Sequence, residues 1–327
     1  MRAAVALARM RVAVVRPRVA VVRPRAAPAR RWLVATSALA MLIAGCATTP
    51  SHAGTHARVN VVAAENFWGS IASQLGGAKV NVTSLIDNPA TDPHDYEPTA
   101  ADARAVATAQ VVVVNGLGYD GWASKLLAAN PATGRQTINV GELVGAGANA
   151  NPHRWYNPSD VHQVVAAVSA ALTKADPKDA DYFETQRRAF EQTGLEQYDQ
   201  LITDIKTKFA GTAVGASESI FAMLAPSLGL KVLTPATFLR ATSEGTDPAS
   251  SDKVTIDRQI KTHEIKVYIY NSQNATPDIR AQVAEAKAAG IPVTTITETL
   301  VPATATFQQW QTEQLQALEI ALQKAAS

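Results

Sequence analysis

Arg58-Val-Asn-Val-Val-Ala-Ala64 is a β-branched run, and Glu65 to Leu75 directly behind it carries apolar residues at helical spacing before Gly76-Gly77 ends it. The first reads as a buried strand and the second as a helix, and a strand leading straight into a helix points to an α/β fold. The unit recurs along the chain. Val80 to Ile86 is a second strand, and Thr99 to Gln110 is an alanine-rich helix that Thr99 can cap. Val111-Val-Val-Val114 has no polar face, as a strand covered on both sides requires. Asn115-Gly-Leu-Gly118 then turns the chain into a helix bearing Trp122 and Leu126, and Gln136 to Val140 supplies a fourth strand that completes one lobe.

A helix from Ser159 to Lys174 follows, and Asp176-Pro177 places a cap and a proline at the start of a much longer one reaching Phe209. Tyr182, Phe183, Phe190, Tyr198, Leu201, Ile205 and Phe209 recur near helical spacing along it. At about 1.5 Å per residue this segment would reach roughly 50 Å, the length of a spine joining two lobes; Gly194 leaves two helices with a kink as the alternative. The second half repeats the first in kind, with strands at Thr212 to Ala216, Lys231 to Leu233, Lys266 to Tyr270 and Ile291 to Thr297. Helices are expected at Ser219 to Leu228, Ser251 to His263, Pro277 to Ala289 and Thr306 to Lys324. The expected architecture is α/β, with two lobes, each a four-stranded mainly parallel sheet flanked by helices. One long helix joins them, and the ligand cleft lies between them. The lobes take residues 58–175 and 210–327, with the linking helix at 176–209.

The N-terminal end has a different character. Residues 1–45 hold nine arginines and no acidic residue, followed by the apolar run Trp32 to Ala44, which is the pattern of an export signal. The run is short for a membrane span, and Ile43-Ala-Gly-Cys46 looks like a bacterial lipobox, after which Cys46 would carry lipid and head the mature chain. Residues 46–57, with His52 and His56, then form a tether. Val12 to Arg18 and Val19 to Arg25 repeat the same seven residues ahead of Arg30-Arg31, so the segment is a tandem duplication or Met10 is the true start. Cys46 is the only cysteine, which excludes an internal disulfide and a thiolate metal site. Without residues 1–45 the chain holds 21 basic against 28 acidic residues, a formal net charge of about −7. A nucleic-acid partner needs a basic face, and no arginine cluster or aromatic-basic motif follows Cys46.

Two loops carry metal-ligand chemistry. In Thr91-Asp-Pro-His-Asp-Tyr-Glu-Pro98, Pro93 and Pro98 stiffen the turn on which His94 sits, at the C-terminal end of a strand. A stiff turn suits a metal ligand, and an ordinary solvated turn has the same composition. Asn151-Pro-His-Arg-Trp-Tyr-Asn-Pro158 sets His153 in the same frame. Two such loops in a chain of 6 histidines favour paired ligands over the alternative, a turn histidine stacked on Trp155. Two acids stand out by position: Glu218 follows the first strand of the second lobe and Glu298 ends its last. Ligands of open α/β sheets bind outside the carboxyl ends of the strands, where His94, Glu218 and Glu298 all fall.

These stretches resemble the cluster A-I solute-binding lipoproteins of metal-ion transporters of the ATP-binding-cassette type, the zinc- and manganese-uptake family. The resemblance covers nearly all of the mature chain. It is most specific at Asp92-Pro-His-Asp-Tyr-Glu-Pro98, Asn115-Gly-Leu-Gly118 with Trp122, and Asn151-Pro-His-Arg-Trp155. It implies that His94 and His153 bind the metal, that Glu218 in Ala216-Ser-Glu-Ser-Ile-Phe221 is the third ligand, and that Glu298 stands where the family usually has an aspartate. It also implies lobes joined by one long helix. Two imidazoles and two carboxylates suit Zn²⁺ or Mn²⁺. Zinc-specific members often carry a histidine-rich loop, and none lies between Asp95 and Gly116.

The resemblance implies a monomeric receptor on the outer face of the cell membrane, held in the bilayer through Cys46, that delivers its ion to a membrane permease. Two alternatives stay open. A metal-dependent enzyme would need an open coordination position, which four protein ligands do not leave; if Glu298 does not bind, the fourth position falls to water or to a neighbour such as Glu244, and the enzyme reading gains weight. The mature chain has no His-Glu-x-x-His, Gly-x-Ser-x-Gly or phosphate-cradling glycine loop. An adhesin-like surface lipoprotein is the other.

Overall fold

The computed structural model describes residues 57–94 and 96–327. The export signal at 1–45, lipid attachment at Cys46, nearly all of the tether at 46–57, and Asp95 therefore lie outside the described residues.

Strand β1 (Val59–Glu65) runs into helix α1 (Asn66–Gly76), and β2 (Val80–Ile86), β3 (Val111–Val114) and β4 (Gln136–Asn139) complete a sheet in the order β2-β1-β3-β4. Every pairing in it is parallel. The alternation within the apolar runs of β1 and β3 explains why these two strands have no polar face. Val61, Ala63, Val111 and Val113 enter the central core, while Val62, Ala64, Val112 and Val114 pack on the outer side. Helix α2 (Ala100–Thr108) and α3 (Gly121–Ala129) cover that outer side, and Thr99 caps α2 in a reciprocal capping box with Asp102. A short α4 (Val140–Leu143) follows β4. Helix α5 (Pro158–Ala175) starts on the Asn157 side chain, which accepts from the backbone of Ser159 and Asp160, with Pro158 in its first turn.

The connection between the lobes is broken where the sequence pattern predicts one long helix. A 3₁₀ turn at Pro177–Asp179 leads into α6 (Ala180–Ala189), a π-turn spans Phe190–Gly194, and α7 (Glu196–Phe209) resumes. Leu195 N–H reaches back to Phe190 O at 2.8 Å, the wide loop of a π-bulge. The packing there is tight: a Cβ on Gly194 would lie 3.2 Å from the ring of buried Phe190, which would have to shift to admit a larger residue. The extra residue re-phases the apolar stripe, and Phe183, Phe190, Leu195, Tyr198 and Ile205 are all buried.

Strands β5 (Ala213–Ala216), β6 (Lys231–Val232), β7 (Val267–Asn271) and β8 (Val293–Ile296) form the second sheet, in the order β6-β5-β7-β8, again with every pairing parallel. Its helices are α8 (Ser219–Leu224), α9 (Ala236–Ser243), α10 (Ser250–Lys261), α11 (Pro277–Ala288) and α12 (Phe307–Ala326). Helix α8 is shorter than its pattern predicts, and α9 falls where no helix is expected. One apolar cluster runs from Val59 and Trp68 of the first lobe through Tyr198 and Ile205 to Trp310 and Leu322 of the second. Gln74 and Gln308 exchange amide hydrogen bonds at 3.0 and 2.6 Å across the same junction. In each sheet the chain leaves the first strand in one direction and returns on its other side, which puts switch points at β1/β3 and β5/β7. No described helix is long and apolar enough to cross a membrane.

Candidate metal centre

The loop after β2 holds His94 through its neighbours. Its backbone N–H donates to Asp92 Oδ1 at 2.8 Å, a turn closed by a side chain. The buried Trp122 indole of α3 donates to Pro93 O at 2.9 Å, and Tyr96 packs edge-on against Trp122 with centroids 4.7 Å apart. The His94 ring stands edge-on to Tyr119, 4.9 Å away, and is 33% exposed, so it faces the cleft with one side free.

His153 is buried on the loop before α5, at 1% exposure, with Trp155 beside it at 5.3 Å and Phe67 stacked on Trp155 at 4.0 Å. Such aromatic stacking adds about 0.5–1.5 kcal/mol to burial and stiffens the loop. Asn151 sets the imidazole tautomer. Its Nδ2 donates to Ser219 O in the second lobe at 2.6 Å, so its Oδ1 faces His153 Nδ1 at 2.7 Å and accepts a hydrogen bond from its N–H. The lone pair is thereby left on Nε2, which is buried and has no hydrogen-bond partner. Burial holds this imidazole below its ordinary pKa, against the pull of the Glu298 carboxylate. Neutral imidazole is the metal-binding form.

The loop hangs on the Asn115 turn. Asn115 Nδ2 donates to Pro152 O at 2.8 Å, and Asp120 accepts the N–H groups of Asn115 and Gly116 at 2.7 and 2.8 Å. Gly116 has φ 74°, and a Cβ there would lie 2.2 Å from Asn139 Oδ1, so the turn requires glycine twice over.

Glu298 follows β8 and is the convergence point. Its Oε1 lies 3.8 Å from His94 Nε2 and 3.6 Å from His153 Nε2, beyond hydrogen-bond length from both. Burial raises this carboxyl, but the two imidazoles outweigh burial and hold it below its ordinary value. Glu218, just past β5, is 2% exposed and lies near enough to Glu298 to feel its charge. Its Oε2 accepts from Asn271 Nδ2 at 3.1 Å, and its Oε1 has no partner. Burial first, and the Glu298 charge next, push it up to about 8. Among the described residues no three His, Cys, Asp or Glu side chains are gathered tightly enough to hold a metal ion as they stand. The structure thus brings together three of the four residues expected from sequence and leaves the fourth paired to an amide. Glu244 lines both clefts that flank His94, of about 450 and 430 Å³.

Several residues of this region were not singled out from the sequence. Tyr119 is fully buried between the two histidines, its phenol raised by burial and by the Glu298 charge. Glu65 is fully buried at the end of β1, with no hydrogen-bond partner on either oxygen, and burial and Asp120 raise it well above the carboxylate range. Asn271 and Gln273 hold the two glutamates. Glu65 and Asn271 carry a readable signal, a polar residue ending a buried strand at a sheet's switch point.

The family model described as zinc-uptake complex component A, periplasmic (ZnuA), matches residues 61–321. The manganese-binding lipoprotein MntA of Bacillus subtilis (strain 168) is 26% identical over 274 residues, 80% of this chain and 85% of that one. Matches to relatives from Treponema pallidum and Halalkalibacterium halodurans span only 61% and 56% of those proteins' lengths. Among solved structures, the Mn-bound periplasmic metal binding protein of Candidatus Liberibacter asiaticus superposes with a TM-score of 0.68 at 22% identity, over 81% of this chain and 99% of that one. FpvC of P. aeruginosa, in complex with Ni²⁺, gives 0.67 at 22% identity, over 83% and 98%. At these identities the structures establish the two-lobed fold.

Proposed function

Since the chain belongs to the ZnuA family of periplasmic metal-uptake components, we propose that it is an extracytoplasmic, lipid-anchored solute-binding protein. It captures one divalent transition-metal ion, Zn²⁺ or Mn²⁺, and delivers it to the membrane permease of an ATP-binding-cassette transporter. The ion is cargo, and the protein is a carrier, not an enzyme. The ligands are His94, His153, Glu298 and Glu218, and Cys46 is the lipid attachment point. Its lobes take residues 58–175 and 210–327, with 176–209 between them.

The observation that carries this reading is the buried Nε2 of His153, a lone pair of fixed direction with no hydrogen-bond partner, facing a carboxylate oxygen 3.6 Å away. Leaving such an atom unpaired costs about 1–3 kcal/mol unless a ligand fills the gap. A tetrahedral ion with bonds of about 2.0–2.2 Å separates its donor atoms by roughly 3.3–3.6 Å, close to the spacing around Glu298 Oε1. Glu218 would join by giving up its proton, since a carboxyl pushed up to about 8 is mostly neutral at pH 7. Affinity in such a set follows the usual order, zinc above manganese. Titration of metal-stripped protein with Zn²⁺ and Mn²⁺ should give one site, and His153→Ala should weaken it at least about tenfold. Absence of saturable binding, or a His153→Ala variant that binds like wild type, would overturn the reading.

A further inference from the structure

The chain leaves β7 at the switch point of the second sheet, and two amide side chains there face the two glutamates. Asn271 Nδ2 donates to Glu218 Oε2 at 3.1 Å, its backbone N–H donates to Ser217 Oγ at 3.0 Å, and its Oδ1 accepts from Gln273 N–H at 2.9 Å. Gln273 is therefore held from the side of Glu218. Its own amide uses every hydrogen-bonding position it has. Oε1 accepts from the backbone N–H of Glu298 at 2.6 Å and of Thr299 at 3.0 Å. Nε2 donates to Thr299 Oγ1 at 2.9 Å and, across the cleft, to Pro89 O at 3.0 Å. Two N–H donors facing the oxygen leave this amide a single orientation. Pro89 lies on the loop that carries His94, and among the described residues this is the only hydrogen bond between that loop and the second lobe.

Resting on the ligand assignment above, we propose that Gln273 is a positioning residue for metal capture. It fixes the backbone of Glu298 and ties it to the His94 loop, so that one amide sets the distance between donors from opposite lobes. It touches no ligand donor atom itself and acts through Glu298 and the loop. Groups that orient metal ligands typically change affinity about 10–100-fold when removed.

Gln273→Met keeps the side chain's length without the amide, and Gln273→Asn keeps the amide but is too short to reach both partners. For each, Zn²⁺ and Mn²⁺ affinities are measured by competition with a chelator, together with the visible spectrum of the Co²⁺ complex and the melting temperature of the metal-free protein. Affinity should fall at least about tenfold in both, with a changed Co²⁺ spectrum. In the Glu298→Gln background, Gln273→Met should add little further loss, because it acts through the same ligand. A purely structural role would lower the melting temperature while leaving the Co²⁺ spectrum unchanged and the losses additive, and that result overturns the proposal. If Gln273→Met does not fold, Gln273→Asn decides by the same criteria. If Glu298→Gln loses affinity while both Gln273 variants keep it, only this inference falls. If Glu298→Gln binds like wild type, the ligand reading falls and takes the inference with it.

Discussion

Glu218→Gln should move stability and binding in opposite directions. The wild-type carboxyl is buried, one oxygen accepts a hydrogen bond from Asn271 Nδ2, the other has no partner, and its pKa is pushed from 4.5 to about 8. The sign follows from where protons sit. Between those two values the folded protein holds a proton that the unfolded chain has released, so metal-free stability falls as pH rises through that window. At 1.36 kcal/mol per tenfold, the full displacement is worth ~5 kcal/mol, nearly all of it lost above pH 8 and about 3 kcal/mol lost at pH 7. A glutamine mimics the neutral acid, keeps an oxygen for Asn271 and never ionises. In the presence of a strong chelator it should therefore match wild type near pH 4.5 and exceed it increasingly above. For a chain of this size about 3 kcal/mol is on the order of 5–10 °C in melting temperature at pH 7. The same variant loses a carboxylate ligand and should bind Zn²⁺ or Mn²⁺ at least about tenfold more weakly. Thermal melts of both proteins from pH 4.5 to 9, paired with metal titrations, test both halves. Parallel pH profiles would refute the buried-acid argument, and unchanged affinity would remove Glu218 from the ligand set.

Two further outcomes are expected. Glu298→Asp should weaken metal binding about tenfold although it restores the residue common in similar proteins: Gln273 locks the Glu298 backbone, so the shorter side chain withdraws its oxygen from both imidazoles. Affinity equal to or better than wild type would show that the loop re-adjusts. Cys46→Ala should move the protein from the membrane fraction to the soluble one on cell fractionation, and a protein that stays with the membrane refutes lipid anchoring there.

The parallel sheets were legible because their strands announce themselves physically: Val59–Ala64 and Val111–Val114 are buried on both faces and so lack the alternation of a half-exposed strand. The break at Phe190–Gly194 was half legible, since Gly194 marks a weak point but period alone does not tell a kink from a π-turn. Helix α9 was hidden by poor helix formers, Thr237, Thr242 and Ser243, and is held by the burial of Phe238, Leu239 and Thr242. Loop stiffness singles out His94 and His153, and a strand end together with the family resemblance singles out Glu298, whose Oε1 lies 3.8 and 3.6 Å from the two imidazoles. Gln273 carried no such signal. An amide after a strand reads as solvated surface, and only the cross-cleft bond to Pro89 distinguishes it.

The apolar cluster that runs unbroken through both lobes has a kinetic consequence. Parting the lobes would expose Tyr198, Phe307 and Trp310 to water, each fully or almost fully buried, at a cost of about 1.5–3 kcal/mol per side chain. If the chain carries an ion as proposed, entry and release through local rearrangement of the His94 loop would leave this shared core covered. A permease of the kind proposed would then engage the rim of the cleft and leave the trunk of the molecule undisturbed. Exchange with free chelator should accordingly respond to substitutions in the loop and hardly at all to changes that soften the spine.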